Sequence, residues 1–127
     1  MNNEQKEAMI REYVQHYNSF DIDGMVSLLH EEVRFRNVSN GEVTAETAGV
    51  ESFRKLAKQS AALFKNRCQK VLISCFHEDQ LEVEIDYEGT LAEDIPGGPK
   101  AGELIKLQGF SRFAFQDGKI FAIEDRS

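Results

Sequence analysis

The chain contains no tryptophan, only two prolines and only two cysteines in 127 residues. Two cysteines cannot make a disulfide framework, and Cys68 and Cys75 read as buried reduced thiols, as expected of a cytoplasmic protein. No apolar run approaches the roughly 18 residues of a membrane helix. The opening MNNEQKEAMIREYV lacks the basic-then-apolar order of a signal peptide. Basic residues are also short: 15 Lys and Arg against 22 Asp and Glu give a net charge of −7. That balance excludes nucleic acid, whose phosphates reward basic clusters, and disfavours an anionic membrane. His16, His30 and His77 are scattered without ligand spacing, so no metal site is expected. Pro96-Gly97-Gly98-Pro99 is followed by neither Lys-Ser/Thr nor a helix and is no phosphate loop; it reads as a flap over a pocket or a crossover between strands.

What is present fits one domain, residues 1–127, with ordinary globular proportions of 41% hydrophobic and 29% charged residues. Residues 4–20 carry apolar side chains at helical spacing, among them Tyr13, Tyr17 and Phe20, with Glu and Lys on the wet side. Asp21 or Asp23 caps a short second helix. The segment 33–38 alternates as a strand with Val33, Phe35 and Asn37 on one face. Residues 39–49 read as loop, and a third helix runs from about Val50 to Lys65, with Lys65 and Arg67 on its solvated side.

Strands follow at 70–77, 80–88, 104–116 and 119–125, with Asp117-Gly118 as the strongest hairpin signal. On 80–88, Leu81, Val83, Ile85 and Tyr87 face the core, and Glu82, Glu84, Asp86 and Glu88 face outward. On 104–116 the inner set includes Gly109, Ser111 and Phe113, leaving Lys106, Gln108 and Arg112 outside to answer those acids. The order is helices first and an antiparallel sheet after them, hence α+β.

The run Tyr13-Val14, Asn18 and Asp21 through Val33 resembles the opening of the nuclear transport factor 2-like superfamily. Gly49-Val50-Glu51-Ser52-Phe53 and Gly109 through Ile120 resemble its third-helix start and its penultimate hairpin. The resemblance implies a cone-shaped curved antiparallel sheet wrapped around three helices from the N-terminal half, with one apolar pocket. It also implies a homodimer through the outer sheet face and no cofactor. Relatives include ketosteroid isomerase and the SnoaL-type polyketide cyclases.

Carried over by position, the isomerase's tyrosine falls on Tyr13, its base on Asn37 and its proton-donating acid on Ser111. An amide takes no proton from carbon at neutral pH, so the isomerase mechanism is not supported. The cyclase resemblance places an acid at Asp125, which shares a face with Phe121 and Ile123. Buried, it serves as acid or base near pH 7; acids are seldom fully buried, which favours a solvated Asp125.

His16 points either into the cavity, as a relay, or to the helix edge against a backbone carbonyl. Asn37, on an inner face, needs a partner in neighbour, water or ligand. Tyr17, Phe35, Ile85, Tyr87, Ser111, Phe113 and Ile123 complete the expected pocket for a small apolar molecule.

Two functions follow. One is cofactor-free proton transfer on a small apolar carbonyl compound by Asp125, His16 and Tyr13, of the cyclase, isomerase or dehydratase type. The other is non-catalytic ligand binding or a dimeric scaffold. A protein-binding adaptor fits less well, since Phe110 is the only outward aromatic expected on the late strands.

Overall fold

A computed structural model describes all 127 residues. Helix α1 (Asn3–Asn18) begins with a reciprocal cap between Asn2 and Gln5 and buries Ile10, Tyr13 and Val14. It ends where Phe20 adopts a left-handed φ of 60°, which turns the chain into α2 (Ile22–Ser27). Asp21 caps α2 by accepting from the Gly24 amide.

The remaining elements are β1 (Leu29–Ser39), β2 (Glu42–Ala48), α3 (Val50–Ala62), β3 (Phe64–His77), β4 (Gln80–Leu91), β5 (Leu104–Gln116) and β6 (Lys119–Arg126). The six strands form one sheet in the order β2-β1-β6-β5-β4-β3. Every pairing is antiparallel except β1 with β6, which is parallel, so the sheet is mixed rather than wholly antiparallel. No helix is long and apolar enough to cross a membrane.

The inner face of the sheet packs on α1, α2 and α3 through one core that includes Ile10, Met25, Val33, Phe53, Leu81, Val83, Phe113 and Ile120. Strand alternation places Val33, Leu81, Val83 and Phe113 inward as expected. Ile120, however, is buried beside Ile123, while Phe121, read as sharing a face with Ile123 and Asp125, packs on His30 instead, because the β5–β6 register shifts between Ala114 and Phe115. The outer face carries the anticipated cross-strand pairs. Arg112 meets Glu82 at 2.8 Å, Lys106 meets Glu88 at 3.6 Å, and Gln108 donates to Asp86 at 2.8 Å.

Several boundaries differ from the sequence reading, among them β1, which begins at Leu29 rather than Val33, and β4, which runs on to Leu91. Residues 42–48 are strand β2 rather than loop, joined to β1 through Asn40 and Gly41, whose φ values of 52° and 80° suit a tight hairpin. Helix α3 stops at Ala62, and β3 begins at Phe64, six residues early. Arg67 therefore sits in a strand and is only 5% exposed, not on a solvated helix face. Cys68 and Cys75 both lie on β3 and are exposed free thiols rather than buried ones.

Candidate functional site

The register brings the chemistry together. Asp125 of β6 pairs with Asn37 of β1 on one side and with Ser111 of β5 on the other, and Ser111 pairs in turn with Val83 of β4. Strands alternate, so these side chains form one row across the inner face. The next row, Phe35, Ile123, Phe113 and Leu81, is apolar and floors the site.

A cavity of about 390 Å³ opens over this row, within the size range of small-molecule pockets. Tyr13, Tyr17, Phe35, Asn37, Ile85, Tyr87, Ser111, Phe113 and Asp125, all singled out in the sequence, line it. Leu107 and Phe110, 44% and 40% exposed, also line it.

Asp125 faces the cavity rather than bulk solvent, which overturns the solvated reading. Its Oδ1 accepts a 2.6 Å hydrogen bond from the Ser111 hydroxyl. Burial is the main force on its acidity, aided by the neighbouring Glu124 charge and opposed by the Ser111 bond, and the carboxyl titrates at about 6. Glu124 itself points to the outer face between Arg126 and Arg36, and its charge is held by the Arg126 hydrogen bond and, more weakly, by Arg36. Adjacent acids on one strand are thus pushed in opposite directions by the two faces of the sheet.

Tyr13 is buried, edge-on to Phe113 at 5.9 Å. Burial, with the Asp125 charge second, raises its pKa well above the ordinary value, so it stays a neutral phenol that can donate. Tyr17 donates to the Tyr87 hydroxyl at 3.0 Å, and burial raises both of their pKa values. Asn37 is satisfied locally, its amide reaching Thr44 Oγ1 at 2.8 Å and Ser39 Oγ at 3.3 Å. The β1–β2 hairpin missed from sequence supplies both partners.

Two expected residues lie elsewhere. His16 does not line the cavity. Its Nδ1 sits 3.2 Å from Asp21 and its Nε2 3.3 Å from Glu12, at the helix edge beside Gly24. Its edge position was one of the two readings, but its partners are carboxylates rather than a backbone carbonyl. Ile123 belongs to the core, 2% exposed, beneath the cavity rather than on its wall. The 92–100 loop contributes no wall residue either and is a crossover between β4 and β5.

Sequence reasoning missed Arg67, Gln69, Ser60 and Phe64 on the wall. Gln69 is placed by Asn18, whose side chain donates to its carbonyl at 3.0 Å and accepts from its amide at 2.7 Å, fastening β3 to the end of α1. The signal available was the inward alternation of 67 and 69 once the helix is stopped at Ala62. The cavity wall offers no cluster of metal ligands.

A curved, open, mixed sheet of six strands packed on three helices defines the cone-type α+β fold of the nuclear transport factor 2-like superfamily. Within it, the sequence profile of the SnoaL-like domain matches residues 10–123, and the chain belongs to that family.

Solved structures agree on the fold. A protein assigned as a polyketide cyclase from Xanthomonas campestris pv. campestris superposes with a TM-score of 0.86 at 18% identity, covering 100% of this chain and 93% of its own. One assigned as a SnoaL-like polyketide cyclase from Jannaschia gives 0.80 at 14%, covering 95% and 83%. TerC, co-crystallised with polyporic acid, gives 0.76 at 15%, covering 95% and 89%. No curated protein matches the sequence.

Proposed function

We propose that the chain binds a small, largely apolar carbonyl compound in this cavity and moves a proton on it without a cofactor, with Asp125 as the acid or base. The observation that carries this reading is the cavity-facing carboxyl poised at about 6. A carboxyl with that pKa is divided between its acid and base forms near neutrality, where proton transfer is most effective.

Ionised Asp125 takes a proton from carbon next to the carbonyl. The C–H electron pair moves onto the carbonyl oxygen, and the Tyr13 hydroxyl donates to the resulting enolate. The proton returns from Asp125 to the same or a neighbouring carbon. Ser111 holds the carboxylate but is too weak a donor to act as the acid found at this position in the isomerase. The co-crystallisation of TerC with polyporic acid supports a small-molecule role for a pocket of this fold.

The test is exchange of the carbon-bound protons of 2-tetralone in D₂O, followed by NMR. The wild type accelerates exchange, with a rate rising through pH about 6. Asp125→Asn loses about 10²- to 10⁴-fold. Equal rates in wild type and variant would sink the catalytic reading and favour the second one, a non-catalytic binder, which the amide at Asn37 and the hydroxyl at Ser111 in place of acids support.

A homodimer through the outer sheet face is the assembly we propose. Two of the four acids that would repel across such an interface, Glu82 and Glu88, are paired within the chain by Arg112 and Lys106, and Asp86 accepts from Gln108. Sedimentation at micromolar concentration giving only monomer would refute it.

A further inference from the structure

We propose that the β3 end of the cavity is an anion subsite, in which Arg67 receives an acidic oxygen of the ligand while the reacting carbon lies at Asp125. The proposal rests on the pocket reading above and adds the ligand class: an apolar body carrying a carboxylate.

Arg67 is a buried cation without a counter-charge. It is 5% exposed, lines the cavity, and takes part in none of the chain's ion pairs. Its Nε donates to the Tyr17 carbonyl at 3.1 Å, in the last turn of α1, while Nη2 is buried and has no partner. A guanidinium stays charged at every working pH, and an unpaired buried charge is costly. Anchoring the end of α1 needs one donor and accounts for Nε alone. The unbonded side of the planar fork is left over, and a carboxylate matches that geometry.

The group is also held still. Its carbon lies 3.6 Å from the Tyr17 ring centroid and 4.7 Å from that of Phe20. Phe20 is the residue with the left-handed backbone, an uncommon conformation for an aromatic, so the turn after α1 is shaped to bring a ring under this cation. The Tyr87 hydroxyl, which also lines the cavity, accepts from Tyr17 and so keeps its own proton to donate.

The opposite end is acidic. Arg67 pairs with Gly89, six residues along β4 from Val83, which faces Ser111 and hence the Asp125 row. Tyr13, Tyr17 and Tyr87 lie in reach of both charges, each stabilised as phenolate by Arg67 and opposed by Asp125. An anionic group is attracted at one end and repelled at the other, which orients the ligand. The other cation on the wall, Arg126, is exposed, and its Nε is bonded to Glu124 at 2.8 Å.

The experiment is calorimetric titration of the full chain at neutral pH with 2-naphthoate and with 2-naphthalenemethanol, the same ring system with a neutral head. The wild type should bind the carboxylate at least about tenfold more tightly. Arg67→Met should lose that preference and keep the alcohol's affinity, while Arg67→Lys, which keeps the charge without the fork, should retain part of it.

Equal wild-type affinities overturn the subsite and leave the pocket reading standing. A preference that survives unchanged in Arg67→Met, or in Arg67→Lys should the Met variant not fold, overturns it as well. Binding of neither probe at millimolar concentration overturns the subsite and the ligand pocket together, whereas failure of the Asp125 exchange assay alone leaves the subsite untouched.

Discussion

Asp125 must destabilise the protein it serves, and the cost can be measured. Its carboxyl titrates at about 6 in the folded chain against an ordinary 3.8. For an acid with a raised folded pKa, the folded state holds its proton more tightly than the unfolded state. The native state therefore suffers no deficit below about pH 3.8, loses stability as pH rises from there to about 6, and carries a constant deficit above it. At about 1.4 kcal/mol for each tenfold difference in proton affinity, the full deficit is about 3 kcal/mol.

Asp125→Asn removes the titration yet keeps an oxygen for the Ser111 hydroxyl, so it should match the wild type near pH 4 and exceed it by up to about 3 kcal/mol at pH 8. For a chain of this length that corresponds to a Tm rise on the order of 10 °C. Urea and thermal unfolding of both proteins across this pH range, followed by circular dichroism, isolate the effect, because every other titrating group is common to the pair. A difference that does not vary with pH, or a variant that is less stable at pH 8, would refute the buried-acid description.

Three further perturbations test the neighbouring parts. Ser111→Ala removes the hydrogen bond that lowers the Asp125 pKa, so the midpoint seen by carboxyl ¹³C NMR should move above 6; a downward or absent shift contradicts the assignment. Tyr13→Phe deletes a hydroxyl on which no group of the chain exerts a hydrogen-bond influence, so stability should change by no more than about 0.5 kcal/mol while 2-tetralone exchange falls at least tenfold. Gly109→Ala would place a Cβ 2.3 Å from the Arg126 carbonyl oxygen, forcing the end of β6 away from β5. A loss of about 1–3 kcal/mol in urea unfolding is expected, with a displaced Asp125 titration, and full native stability would show that the strands are not so closely fitted.

The sequence carried the parts of the fold that follow a simple period. Leu81, Val83 and Ile85 alternate with acids, and the structure buries the first set and pairs Glu82 across the outer face. Asp117 and Gly118 take the positive φ values that mark their hairpin. Strand β2 was illegible because it lies at the sheet edge and its residues remain largely exposed, so no apolar alternation announces it. The start of β3 was hidden because Leu63 and Phe64 extend the apolar stripe of α3 for one more turn. Inside β3 the inward position is then filled by Arg67, which reverses the usual rule for a strand face. Asp125 was legible as a candidate but not as buried, since its enclosure depends on β1 and β5 closing on both sides of β6.

Those two charged residues share a physical logic that the rest of the molecule throws into relief. On the outer face acids and bases sit across from one another, as Glu82 with Arg112 and Glu124 with Arg36. Such pairs are exposed and contribute little individually, and charges left single on that face, such as Glu84, are met by water. On the inner face the chain keeps one acid and one base apart, each beyond the ion-pair distance of any opposite charge, with three phenols between them. Folding alone would favour either bringing them together or replacing both with apolar groups. The raised pKa of Asp125 and the unpaired guanidinium at Arg67 are the two features that the proposed ligand, with a carbon acid for one and an acidic oxygen for the other, would complete.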